Sequence, residues 1–224
     1  MGGLVPGIST IAAPIDRLFT VVLIVTGVAF FLVEGILITF LVRYRHRKDR
    51  RATFIHGNRT VEATWTIVPG VMLFGLAIFQ YGTWRQAKIT FPDESRAQLV
   101  GVSANQFEWN ATYPGADGRL GTPDDLAAPI NVLHFPVGVP VIIELQSTDV
   151  IHSFFIPVLR VKQDAVPGRP VRVWFEAIQS GEYELACAEL CGLGHYRMRG
   201  QVTFEAPEAF EAWLVELAAR QAGG

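Results

Sequence analysis

Two long apolar runs open the chain, and after them the pattern changes to a much finer alternation. Leu18 to Val42 is apolar apart from Glu34, and Trp65 to Trp84 forms a second run. At about 25 and 20 residues, each is long enough as a helix to cross a hydrocarbon layer of roughly 30 Å. The pattern predicts a hairpin of two membrane-spanning helices. Between them lies Arg43-Tyr44-Arg45-His46-Arg47-Lys48-Asp49-Arg50-Arg51, and dense cationic clusters at a membrane end stay on the cytoplasmic side. Both termini, and everything after about Gln86, are then expected on the outer face. In a bacterium that means a multi-pass protein of the inner membrane with its larger part in the periplasm. Met1 to Pro14 lacks the basic start, short apolar core and small-residue cleavage site of a signal peptide, so none is read there. Glu34, deep in the first span, must face a partner helix or be neutral, and no function is assigned to it.

From Ala97 onward the chain reads as short apolar or alternating runs separated by turn residues, the pattern of a sandwich or barrel. The expected strands are Gln98–Ser103, Glu108–Tyr113, Ile130–Phe135, Val139–Gln146, Val171–Ala177, Gly181–Ala186 and Gly200–Phe204. A closing helix is expected over Pro207–Ala219, with proline in its first turn and Phe210, Trp213, Leu214 and Leu217 at helical spacing. The fold class is therefore a membrane-anchored all-β protein. Residues 1–96 are expected to hold the N-terminal segment and hairpin, and 97–224 a β-domain with a C-terminal helix. The loop Asp117–Asp125 is rich in glycine and aspartate, but its spacing does not match an EF-hand and it reads better as a solvated turn than as a calcium site. His46, His56 and His134 have no partner ligands nearby in sequence and are read as surface residues.

The chemistry is concentrated in Cys187-Ala188-Glu189-Leu190-Cys191-Gly192-Leu193-Gly194-His195-Tyr196-Arg197-Met198. Two thiolates, an imidazole and a thioether within twelve residues form a soft donor set that favours copper over hard cations. His152, at the end of an apolar run, offers a second imidazole. Cysteines three residues apart on one loop can each bridge two metals, with a histidine on each from outside. Met198 and the backbone carbonyl of Glu189 suit the weak axial positions. A disulfide leaves His195 and Met198 without a role. Zinc accepts two Cys and two His but has no use for methionine. Buried structural cysteines are the common fate of lone ones, not of an ordered Cys-x3-Cys-x3-His-x2-Met pattern. A sandwich with ligands on a mid-chain strand and a late loop has the arrangement of a cupredoxin. Ligands held by a stiff sheet move little between oxidation states, which suits an electron relay.

Composition narrows the partners. The 224 residues are half hydrophobic with a formal net charge of −2, and nothing in that balance points to a nucleic acid.

Over nearly its whole length the chain resembles subunit II of the haem-copper cytochrome c oxidases, with their binuclear copper A centre. The resemblance rests on the hairpin, on Glu62-Ala63-Thr64-Trp65-Thr66-Ile67-Val68-Pro69, and on His152-Ser153-Phe154. It continues through Lys162-Gln163-Asp164-Ala165-Val166-Pro167-Gly168-Arg169 and the Cys187–Met198 loop. It implies that His152, Cys187, Cys191, His195, Met198 and the Glu189 carbonyl bind two copper ions. It also implies that the Glu189 carboxylate reaches a magnesium ion shared with the catalytic subunit I. Glu62 matches a position at the mouth of a proton path, and an interfacial carboxylate without transport is the alternative. Asp164 and Arg169 match a region that docks on subunit I, with a local ion pair as the alternative. The chain departs from the family at Asn105–Tyr113. There Trp-x-Trp-x-Tyr-x-Tyr is usual and its first tryptophan takes the electron from cytochrome c. Phe107 stands in that place, Ala111 replaces the third aromatic, and Trp109 and Tyr113 remain as candidates beside Phe107, or as core residues of the sandwich.

The expected role is that of the electron-receiving subunit of a respiratory terminal oxidase. A donor, cytochrome c or another periplasmic carrier, reduces the copper pair, and electrons pass to haem in subunit I, where oxygen becomes water with coupled proton movement. No Cys-x2-Cys-His occurs, so no c-type haem is expected in this chain. The alternatives are the small subunit of a copper-A nitric oxide reductase and a membrane-anchored copper-delivery protein. The full ligand set argues against delivery. It also argues against a quinol oxidase subunit, because those relatives lack the copper ligands.

Overall fold

The computed structural model describes residues 5–51 and 53–223, so the first four positions of the segment read above as lacking a signal peptide lie outside the described residues. Two helices come first, α1 (Ala12–Arg43) and α2 (Arg59–Lys88). Both overrun the apolar runs that announced them. Asn58 starts α2 by accepting the Thr60 and Val61 amides on Oδ1 (3.0 and 3.2 Å), satisfying donors that a helix start leaves free. Arg50 donates to the Arg43 carbonyl at the end of α1 (2.8 Å) and lies over the Tyr44 ring, a cation placed where the helix dipole favours it. Pro69 sits inside α2, where it withholds one backbone donor. Along both helices large apolar side chains point outward, among them Phe31, Leu41, Leu73 and Phe74. In water that surface would be costly; in a lipid layer it is the favoured arrangement.

Ten strands follow: β1 (Gln98–Asn105), β2 (Glu108–Tyr113), β3 (Leu126–Ala127), β4 (Val132–Pro136), β5 (Pro140–Ser147), β6 (His152–Ile156), β7 (Val161–Ala165), β8 (Val171–Glu176), β9 (Gly181–Cys187) and β10 (Arg199–Glu205). They form two five-stranded sheets, ordered β3-β2-β1-β5-β8 and β4-β10-β9-β6-β7. β1 runs parallel to β5 and β10 parallel to β4, while the other pairs are antiparallel. The facing side chains, including Trp109, Phe135, Ile143, Leu145, Phe175, Leu185 and Phe204, are fully or nearly fully buried and fill the core. The closing helix α3 (Pro207–Ala222) lays Phe210, Trp213 and Leu217 against this sandwich.

Seven strands and the final helix coincide with the sequence expectation to within two or three residues. β3 and β7 are additions to the expected strands, and β6 is the mid-chain strand expected to present His152, for which the sequence offered no bounds. β6 is buried along almost all its length and so has no alternating face, whereas β7 reads Val-Lys-Gln-Asp-Ala and looks like a loop. His134 is a correction. It is not a free surface residue: its ring stacks on Trp213 (4.1 Å, 9°) and its Nδ1 meets Glu205 (2.8 Å), tying β4, β10 and α3 together. The carboxylates of Asp117, Asp124 and Asp125 accept amide bonds from their own loop, as a self-capped turn does.

By contact the chain divides into a helical unit, Pro14–Trp84, and a β unit that takes in Arg85–Gly224 together with the residues up to Ala13. The β unit thus extends beyond the expected 97–224. The segment before α1 is strapped to the sandwich. Ile8 N–H donates to the Val158 carbonyl and the Ile8 carbonyl accepts from Ile178 N–H, both at 2.8 Å. Ser9 Oγ donates to Leu159 (2.7 Å), Arg160 reaches the Val5 carbonyl, and Ile8 and Ile11 are each 2% exposed. Replacing Ile8 by Ala should therefore destabilise the β unit by about 2–4 kcal/mol, the usual cost of emptying a buried aliphatic site. Thermal unfolding of the detergent-solubilised full chain, followed by near-ultraviolet circular dichroism, checks this; an unchanged midpoint would mean that the strap bears no load.

Candidate metal centre

The centre is built where β6 and β9 pair. Their antiparallel register sets Phe154 opposite Cys187, which places His152, at the start of β6, beside the end of β9. The Ala188 amide then bonds the Ser153 carbonyl (3.0 Å), and the Cys187 amide bonds the Met198 carbonyl (3.1 Å). The second bond closes the twelve-residue loop at its base, so the loop leaves and rejoins the sheet at adjacent points. His195 lies on a short 3-10 turn, His195–Arg197, directly before Met198.

Inside that loop the donor atoms converge. Cys187 Sγ and Cys191 Sγ are 3.9 Å apart, much farther than the roughly 2.05 Å of a disulfide, and both cysteines are free and buried. His152 Nδ1 lies 3.9 Å and the Glu189 carbonyl oxygen 3.2 Å from Cys187 Sγ. His195 Nδ1 lies 3.6 Å and Met198 Sδ 3.8 Å from Cys191 Sγ. Among the described residues His152, Cys187 and Cys191 form the one group of three His, Cys or carboxylate side chains able to hold a metal ion, with ligand atoms within 4.8 Å of one another. Both imidazoles turn Nδ1 inward. His152 is fully buried, and its Nε2 is engaged by Asp149 Oδ1 (2.8 Å), which fixes the tautomer that leaves Nδ1 free to bind. Soft sulfur and nitrogen donors that converge in this way suit a soft metal.

The electrostatics agree. Burial pushes the Cys191 thiol up to about 11, with the neighbouring Cys187 adding to the effect, so the metal-free centre keeps that proton at neutral pH. Burial works against the Asp149 carboxylate, but the hydrogen bonds it accepts from the His152 ring and the Val150 and Gln106 amides outweigh this and hold its pKa below the usual value.

Several expected residues lie elsewhere. Trp109 and Tyr113 are fully buried, and a donor protein cannot touch them. Trp109 packs edge-on against His152 and Phe154, with its indole N–H unpartnered, while Tyr113 hydrogen-bonds the His134 backbone under α3. As points of contact for a donor both are therefore corrected to core residues. Phe107 is half-buried against the ligand loop, where Gly194 leaves space for its ring. Glu189 turns its carbonyl to the thiols, and the residue is otherwise exposed. Glu62 is exposed in the first turn of α2. Asp164 bonds Ser153 Oγ (2.6 Å) and Lys162 (3.0 Å), so the local pair with Arg169 does not form. Asp149 and Gln106 were missed; the spacing Asp-x-x-His was the available signal for Asp149.

A β-sandwich with this donor set on its loops, behind two helices of membrane-crossing length, defines a membrane-anchored cupredoxin-like protein. Residues 3–82 match the family described as "Cytochrome C oxidase subunit II, transmembrane domain", and residues 119–204 match "Cytochrome C oxidase subunit II, periplasmic domain". An alternative cytochrome c oxidase subunit 2 of Bradyrhizobium diazoefficiens is 31% identical over 221 residues, covering 89% of this chain and 79% of the relative. The cytochrome c oxidase subunit 2 of Thermostichus vulcanus is 30% identical over 264 residues, covering 94% and 77%. Among solved structures, the periplasmic domain of subunit II of the Bradyrhizobium japonicum oxidase is 27% identical with a TM-score of 0.48, covering 59% of this chain and 99% of that one. The chain belongs to the cytochrome c oxidase subunit II family and is a subunit of an oxidoreductase complex.

Because Cys191 must lose its proton to bind a metal, the logarithm of the apparent affinity should rise by at least about one per pH unit below its pKa. Competition titrations between pH 6 and 8 measure this slope, and a flat profile would remove the thiolate from the coordination sphere. In the metal-free domain the raised pKa has a second effect: folding stability should hold below pH 9.0 and decline as the pH climbs towards about 11. Replacing Cys191 by Ser should flatten that decline in denaturant titrations.

Proposed function

We propose that this chain is the electron-receiving subunit of a respiratory haem-copper terminal oxidase. The observation that carries the reading is the convergence of two thiols, two imidazole Nδ1 atoms, a thioether and a carbonyl at one closed loop. A pair of copper ions bound there supplies a one-electron relay. His152, Cys187, Cys191, His195, Met198 and the Glu189 carbonyl are the residues that hold it.

The chain's own work is to bind, orient and shield. The sandwich fixes His152 from one sheet, and the Cys187–Met198 loop brings the remaining donors to it. Trp109 and Phe154 keep water from the inner side of His152. A stiff site of this kind changes little on gaining or losing an electron. Phe107 is the one residue of the three aromatic candidates near enough to the surface to meet a donor, which is cytochrome c or another periplasmic carrier. In this reading the Glu189 carboxylate shares a magnesium ion with subunit I, and its exposure supports that role. Asp164 and the exposed Arg169 belong to the same docking face, and Glu62 lies at a proton path into that subunit. The segment up to Ala13 and the β-domain share one unit although the two long helices separate them in sequence. That supports a two-span hairpin with both termini on one side, and the Arg43–Arg51 cluster favours a reading in which that side faces away from the cytoplasm.

The test is to purify the tagged full chain from its native membrane. A co-purifying haem-bearing multi-span subunit and oxygen uptake driven by a reduced carrier are expected. A Cys191→Ser variant should retain the haem partner while donor-driven uptake falls by more than about 10–100-fold, the cost of losing even a contact outside a metal's own ligands. Nitric oxide reduction in place of oxygen uptake would favour the reductase alternative. A chain that purifies without a haem partner would favour copper delivery.

A further inference from the structure

We infer that Gln106 is a positioning residue for the metal centre, acting on Cys191 through its backbone; the inference rests on the copper reading above. Gln106 and Phe107 form the two-residue turn between β1 and β2, on the sheet opposite the one that carries the ligands. From there Gln106 makes two bonds to two different ligand-bearing loops. Its backbone N–H donates to Asp149 Oδ2 (2.7 Å), the same carboxylate whose Oδ1 holds His152 Nε2. Its side-chain Nε2 donates to the Cys191 carbonyl (2.5 Å).

The loop is shaped to receive this side chain. Gly192 has φ +135, a conformation that L side chains rarely adopt, and a Cβ there would stand 2.6 Å from Gln106 Nε2 and 3.3 Å from the Phe107 ring. A Cβ at Gly194 would overlap the same ring. The guanidinium of Arg197 lies over the Phe107 ring, 5.7 Å from its centroid. Two glycines therefore clear the space, the Gln106 amide ties down the peptide that carries Cys191, and the Phe107 ring fills the remaining gap.

An exposed glutamine in a hairpin turn ordinarily gives its amide to water. Here the amide spans the two sheets and sets the orientation of a ligand's own peptide group, the kind of outer contact that tunes a metal site without touching the metal. Through Asp149 the same residue is also coupled to His152. One turn thus braces His152 and Cys191 against each other, and so sets the spacing of the donors between them.

The experiment uses the copper-loaded full chain in detergent. Gln106→Met keeps the length of the side chain and removes the donor. It should release copper to a chelator about 10–100-fold faster than the native chain, the cost typical of losing a contact of this kind. Its reduction potential and electron paramagnetic resonance hyperfine pattern should shift, while the thermal midpoint of the metal-free form stays at the native value. Gln106→Lys restores an N–H donor at similar reach and should return copper retention towards native. A Gln106→Met chain with native copper release, potential and hyperfine pattern would overturn the inference alone. A native chain that takes up no copper would overturn the proposed function together with it.

Discussion

The backbone register between β6 and β9 is the constraint on which the rest depends. Pairing Phe154 with Cys187 places His152 next to the first thiol. A shift by one residue would turn His152 and every neighbouring side chain to the opposite face of the sheet. The register is held by packing and by specific polar contacts: His152, Ser153 and Phe154 are completely enclosed, and a slip would break the bonds that His152 makes to Asp149 and Ser153 makes to Asp164, leaving buried polar groups unpaired. The Cys187–Met198 backbone bond then fixes the other end of the loop, and Cys191, His195 and Met198 follow from the short path left to the chain.

A cluster of sulfur and nitrogen atoms inside a sandwich is a local conflict with core packing, and the surroundings contain it. Trp109 and Phe154 give the inner side of His152 an apolar wall, Asp149 takes its outer nitrogen, and the Gln106–Phe107 turn closes over the loop. The two thiols stand 3.9 Å apart, too far for a disulfide, and burial pushes the Cys191 thiol up. Outside the sandwich the logic reverses, because α1 and α2 expose the apolar side chains that a water-soluble unit would bury.

Much of this was legible in the sequence because it follows simple periods. The two apolar runs marked the helices, short apolar or alternating runs between turn residues marked β1, β2, β4, β5, β8, β9 and β10, and the Cys-x3-Cys-x3-His-x2-Met spacing marked the loop. What remained hidden depends on contacts between distant residues. β6 has no polar face and β7 has hardly any apolar one, so neither carries an alternation to read. Ile8 and Ile11 lie in a segment too short to announce a strand, and only the fold brings Ile8 to Val158 and Ile178 and buries Ile11. Trp109 and Tyr113 look the same in sequence whether they face a donor or a core. Gln106 is 85 residues from Cys191, and nothing local links them.

The proposed pair of coppers sharing one electron at this centre is tested most directly by metal analysis combined with electron paramagnetic resonance on the copper-loaded full chain. Two coppers per chain and a spectrum in which one unpaired electron couples equally to both nuclei is the expected result. A single copper with a localised spectrum, or a preference for zinc with no paramagnetic signal, would contradict it.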